Sequence, residues 1–152
     1  MSSIALSNIS NISNPLTLAQ SYCRVVGSGS TLNYTASNNL NFGGTVTDPQ
    51  ALYNSSTGTI TIKNKGIYYI GLSMHNFTDT SVGTPAAITG WCEVRVGSSG
   101  TRFGQTNTAQ SSINAHTIMP FDKGAVFSVV YVKNLILNNN QLDTYLVVYQ
   151  LG

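Results

Sequence analysis

Residues 58–75 run Gly58-Thr59-Ile60-Thr61-Ile62-Lys63-Asn64-Lys65-Gly66-Ile67-Tyr68-Tyr69-Ile70-Gly71-Leu72-Ser73-Met74-His75. Before Gly66, Ile60 and Ile62 alternate with Thr59, Thr61 and Lys63. Beyond it, Tyr68, Ile70, Leu72 and Met74 alternate with Ile67, Tyr69, Gly71, Ser73 and His75. Successive side chains of an extended strand point to opposite faces, so a two-residue period marks a strand with one buried side. Asn64-Lys65-Gly66 supplies the turn between two such strands.

The same reading extends in both directions. Stretches of five to ten residues rich in Thr, Val, Ile and Tyr alternate with Gly, Asn and Ser clusters, and no helix-length 3.6-residue period appears. Strands are expected near 17–26, 31–36, 40–47, 50–54, 58–63, 66–76, 88–97, 108–119, 124–133 and 142–151. Turn signals such as Asp48-Pro49, Gly97-Ser98-Ser99-Gly100, Asp122-Lys123-Gly124 and Asn138-Asn139-Asn140 separate them. Ten short strands without helices predict an all-β sandwich or barrel. In 91–97, Cys92, Val94 and Val96 oppose Trp91, Glu93 and Arg95. Two stretches, 125–132 (AVFSVVYV) and 145–151 (YLVVYQL), are apolar on both faces. Such strands are buried on both faces, and in a two-layer sandwich the second cover is expected from another subunit.

Charge narrows the function. Seven basic and five acidic side chains give +2, and charged residues make up 8% of the 152 residues, against roughly 25% in an average soluble protein. Asn, Ser and Thr together supply 51 residues. No nucleic-acid partner is expected from so few cations, and no membrane insertion, since the longest apolar stretch, Ala125 to Val132, is far short of a spanning helix. The start, Met1-Ser2-Ser3-Ile4-Ala5-Leu6, has no basic segment and does not read as a secretory signal. Residues 1–16, with the repeat SNISNISNP, are expected to be a flexible N-terminal arm, and 17–152 the folded domain. Cys23 and Cys92 are either two buried thiols or a disulfide.

At this point the chain resembles the C1q/TNF-like jelly-roll family. Thr57-Gly58-Thr59-Ile60-Thr61-Ile62 followed by Gly66-Ile67-Tyr68-Tyr69-Ile70 is similar to that family's paired Gly-led strands. Trp91 to Val96 resembles its central strand, Ala109 to Met119 with Phe121-Asp122-Lys123-Gly124 its small-polar strand and turn, and Thr144 to Tyr149 its aromatic last strand. Ala125 stands where the family has an acid, and the last strand lacks the family's glycine. The resemblance covers about residues 20–151. It implies a ten-strand antiparallel jelly-roll sandwich that forms a homotrimer through the sheet containing the terminal strand. The expected interface side chains are Ser112, Asn114, His116, Tyr145, Val147 and Tyr149. The strand 125–132 is implied to lie in the other sheet.

Catalytic material is scarce. Nucleophile–base chemistry needs a His or carboxylate beside a Ser or Cys, and only His75 and His116 are present, neither in a recognisable motif. No phosphate loop, dinucleotide fingerprint or nucleophile elbow occurs. Asp48, Asp79, Glu93, Asp122 and Asp143 are dispersed. No enzyme, cofactor or intrachain metal site is expected. Three copies of His116 near a three-fold axis are the one metal or anion candidate. The connections 77–90 and 97–110 are the expected recognition loops, with Thr78, Asp79, Thr84, Thr101, Arg102 and Asn107 as candidate contacts for a saccharide or protein receptor.

The expectation is a non-enzymatic homotrimeric structural and recognition module on a particle surface: a virus or phage spike, fibre head or minor capsid protein. Its arm would join a neighbouring particle or coat protein. The alternatives are a C1q-like head on a bacterial cell or spore surface, and a small jelly-roll capsid shell protein.

Overall fold

The computed structural model describes residues 21–35, 37–75, 77–79, 90–105, 112–132, 135–138 and 144–151. The expected arm, 1–16, lies outside the described residues, as do Thr84 and Asn107. The strands are β1 (Tyr22–Gly27), β2 (Thr31–Tyr34), β3 (Gly43–Thr47), β4 (Tyr53–Asn54), β5 (Thr59–Thr61), β6 (Gly66–His75), β7 (Phe77–Asp79), β8 (Trp91–Val96), β9 (Ser99–Gln105), β10 (Ser112–Phe121), β11 (Val126–Tyr131), β12 (Leu135–Asn138) and β13 (Tyr145–Gln150). They form a first sheet, β10-β6-β13-β1-β3, a second sheet, β4-β5-β11-β8-β9, and a small sheet, β2-β12-β7. The described pairings are antiparallel. Chain neighbours such as β5 and β6, or β10 and β11, lie in different five-stranded sheets, so the chain passes from layer to layer in jelly-roll fashion.

The core follows the alternation. Tyr68, Ile70, Leu72 and Met74 of β6 are buried, with Cys23 and Val25 of β1, Leu146 and Val148 of β13 and Ile113 of β10 beside them. From the second sheet, Ile60, Cys92, Val94, Phe127, Val129 and Tyr131 close the layer. Phe121 and Phe127 stack at 4.8 Å across it, and Tyr68 meets Phe121 edge-on. Fully burying one such side chain stabilises the fold by about 1.5–3 kcal/mol. Both cysteines are free thiols.

Three expectations change. The stretch after Gly97 is not a long loop, because residues 99–105 form β9. Gly97 takes φ +59°, and the two residues Gly97 and Ser98 turn the chain straight back, so that Val96 pairs with Ser99. Thr101 and Arg102 are therefore strand residues. Thr78 and Asp79 likewise lie in β7, paired through β12, whose residues 135–138 carried no strand expectation.

The third change concerns 125–132. The middle of its outward face is covered by its own chain. Val126 is 46% exposed, yet Ser128 is 8% and Val130 1% exposed. Beyond β5, the segment 37–40 continues alongside β11: the Ser37 N–H donates to the Tyr131 carbonyl and the Leu40 N–H to the Val129 carbonyl. Arg95, from β8 on the other side, reaches over β11 and donates through Nη2 to Ser37 Oγ at 3.1 Å. The aliphatic stem of an arginine covers apolar surface while its head keeps polar partners.

Candidate functional site

Apolar and aromatic side chains concentrate on the outward face of the first sheet, where the backbone register sets them in rows. His116, Gly71, Val147, Arg24 and Thr47 form one row across the sheet. Ile118, Tyr69, Tyr149 and Tyr22 form the next, and Asn114, Ser73, Tyr145 and Val26 the row on the other side. The alternation that buries Tyr68 and Ile70 forces Tyr69 outward. Its ring stacks against His116 at 5.5 Å and Tyr149 at 4.8 Å, making a three-ring band across three strands. Gly71 makes that band possible. A Cβ there would lie 2.7 Å from a Tyr69 ring carbon and 3.0 Å from Val147 Cγ1.

Tyr69, Gly71, Asn114, His116, Tyr145 and Val147 border a depression of about 170 Å³ in this face. The apolar character continues past the band: Ile118 is 56% and Ile67 49% exposed, with Leu151 joined to Ile67 through a backbone hydrogen bond of 2.7 Å. No Asp, Glu or Lys occupies the three rows. Arg24 is their single formal charge, with its guanidinium 5.3 Å from the Tyr145 ring centre. Partial desolvation and the neighbouring Tyr149 and Tyr145 phenols hold the Tyr69 hydroxyl above the usual phenol range. The Lys65–Asp122 ion pair, 2.9 Å long, marks the edge of the face beside Ile67.

The structure brings together the six expected interface residues: Ser112, Asn114 and His116 on β10, and Tyr145, Val147 and Tyr149 on β13, on one face with β6 between the strands. Tyr69, the centre of the band, was not among them, although its outward position was legible from the alternation in 66–75. The chemistry this face offers is ring stacking and apolar contact. Burial pushes the Cys23 thiol up to about 12, with the Asp48 carboxylate adding to the effect, and burial raises Cys92 as well. Neither thiol is a ready nucleophile. Among the described residues no group of three His, Cys, Asp or Glu is placed to hold a metal ion.

A second constellation lies on the outward face of the second sheet. The Trp91 indole N–H donates to Glu93 Oε1 at 2.7 Å, and Arg95 Nε donates to Glu93 Oε2 at 3.1 Å. Indole donation chiefly holds the Glu93 carboxyl below its ordinary range against the opposing effect of burial, helped by the Arg95 hydrogen bond and by the charges of Arg95 and Arg102. Arg102 lies over the Trp91 ring, 3.9 Å from its centre. Of the expected recognition residues, Arg102 is exposed here on β9; Thr101, also exposed, pairs with Val94 and lies on the other side of that strand, and Thr78 and Asp79 belong to the small sheet.

No protein-family model matches the chain, and no curated protein matches it in sequence. Solved structures do match in fold. The globular domain of zebrafish complement 1qA superposes with a TM-score of 0.62 over 88% of this chain and 98% of that one, at 11% identity. Murine APRIL gives 0.58 over 86% and 98%, at 10% identity. Eiger TNF from S. frugiperda gives 0.57 over 86% and 92%, also at 10% identity. The two five-stranded antiparallel sheets are thus a C1q/TNF-like jelly roll.

Proposed function

We propose that this jelly roll is a non-enzymatic module that assembles into a homotrimer through the outward face of its first sheet. In this reading the trimer is displayed on a particle surface as a virus or phage spike, fibre head or minor capsid protein. The observation that carries the proposal is the His116–Tyr69–Tyr149 band on rows with one formal charge, continued by exposed Ile118 and, beyond the rows, by exposed Ile67. An apolar face of this kind costs free energy in water and is relieved by association. The C1q/TNF-like fold supports three-fold association by resemblance. Display is supported by composition: with 8% charged residues and 51 Asn, Ser and Thr, the remaining surface is neutral and hydrogen-bonding.

Light scattering on the purified chain tests the assembly. Three times 16.2 kDa, about 49 kDa, is the expected mass, and a stable monomer at micromolar concentration refutes the interface. Electron microscopy of the source particle with labelled protein tests display; protein found only free in the cell lysate removes that part.

A further inference from the structure

The outward face of the second sheet holds a fixed array whose parts the self-association proposed above does not use. Glu93 gives one carboxylate oxygen to the Trp91 indole and the other to Arg95, whose far end is anchored on Ser37. Ser37 itself is a non-glycine residue at φ +66°, a conformation held by its surroundings. Gly100 faces Arg95 across the β8–β9 ladder, and a Cβ there would lie 2.4 Å from Glu93 Oε2. The missing side chain thus makes room for the carboxylate and leaves low ground on the face two residues from Arg102.

Arg102 is the uncommitted member. It is exposed and lies over the indole, and among the described residues no carboxylate forms an ion pair with it. A guanidinium resting on an aromatic face keeps its in-plane N–H donors for a ligand, and that fork fits a carboxylate through two hydrogen bonds. Two guanidiniums against one carboxylate leave the array one positive charge in excess, which a single negative charge balances and a dianion exceeds.

We infer that Arg102, over Trp91 and beside Gly100, binds the carboxylate of an acidic saccharide. A sugar fits better than a protein partner. Only Val96 and Val126 are exposed large apolar residues on the described part of this sheet, too little for the apolar centre of a protein interface. On the Arg102 side of β9 the neighbouring position is Gly100, because Ser99 and Thr101 pair with Val96 and Val94 and share their face of the ladder; the ground beside the arginine is open to a flat ring and not to a bulky side chain.

Trp91 is the single tryptophan of the chain, so its fluorescence reports the site directly. The protein is titrated with methyl glycosides of glucuronic acid and N-acetylneuraminic acid, with methyl glucoside and the glucuronate methyl ester as uncharged controls, and with a short Asp/Glu peptide. A saturable response to at least one free carboxylate sugar is expected, with no response to the uncharged ones. Arg102→Gln and Arg102→Lys should each bind about tenfold more weakly or worse, because neither offers the planar charged fork. Their unfolding midpoint and solution mass should match wild type, which separates loss of the site from loss of the fold or of the assembly. Equal binding by Arg102→Gln, equal response to the uncharged sugars, no response to either acidic sugar, or binding of the acidic peptide alone overturns the assignment.

Discussion

Arg95 and Ser37 lie on opposite flanks of β11, and the 3.1 Å bond between the guanidinium and the Ser37 hydroxyl carries the arginine side chain across the strand. Beneath it on β11 is Val130, an outward-facing valine that is 1% exposed, with Glu93 and Asn39 opposite it on the two sides. Arg95→Ala should destabilise the protein by about 1–3 kcal/mol in urea unfolding, through the uncovered valine and the stranded Glu93 carboxylate. Arg95→Met keeps an apolar stem and should lose clearly less. Equal losses for the two would show that charge pairing, and not cover, is what matters.

On the opposite sheet, Ile118→Lys places a charge on a residue that is already 56% exposed in the isolated chain. The fold should therefore survive, with an unfolding free energy within about 0.5 kcal/mol of wild type at equal subunit concentration once assembly is accounted for. The solution mass should fall from about 49 kDa toward 16.2 kDa. An unchanged mass would move the interface elsewhere.

The buried thiols set an alkaline limit. Cys23 is shifted from 9.0 to about 12 in the fold, and Cys92 upward too, chiefly by burial. An acid whose folded pKa is raised contributes stability that is complete below its unfolded pKa. That stability is lost as pH climbs toward the folded value. Unfolding free energy should hold up to about pH 9 and then decline toward pH 12, with Cys23→Ala softening the decline. Ellman's reagent at pH 8 should find neither thiol in the native protein and both after denaturation; rapid native labelling would contradict the burial.

Arg102 shields one face of Trp91 at 3.9 Å. Removing it as Arg102→Ala should raise the acrylamide quenching constant of the tryptophan fluorescence, with little change in stability because the pair is at the surface. Quenching identical to wild type would mean that the guanidinium does not rest on the ring in solution.

Tyr68 is fully buried, and its hydroxyl donates to the Asn64 carbonyl at 2.7 Å, closing the Lys63–Gly66 turn onto β6. Tyr68→Phe should cost about 1 kcal/mol, the usual loss for one buried hydrogen bond with its acceptor left behind. Thermal or urea unfolding measures it directly.

Much of this architecture was legible in the residues. The alternation in 66–75 correctly assigned the buried face of β6, and the jelly-roll resemblance put β10 and β13 in one sheet. The hairpin to β9 was not legible, for a specific reason. Its inward position Gly104 carries no side chain, because Ala115 and Ile113 of β10 already fill the space; a Cβ there would come within 2.6 Å of Ala115. Phe103 packs against the core but falls at the irregularity between Cys92 and Glu93 in the ladder, so β9 shows no apolar two-residue period to read. Of the candidate site, Asn114, His116, Tyr145, Val147 and Tyr149 were foreseen on one face. Their convergence on Tyr69 depends on cross-strand register, which joins residues more than forty positions apart.

By itself, the sequence determined an all-β sandwich of low charge with little catalytic material, because composition and a two-residue period are local properties of the chain. Only the tertiary structure decided what each outward face became. The doubly apolar stretches 125–132 and 145–151 look alike in one dimension. Arg95 and the segment 37–40 cover the first from within the chain, while the second keeps Tyr145, Val147 and Tyr149 at the surface. Cover comes from residues distant in sequence, and no local pattern encodes whether it will arrive.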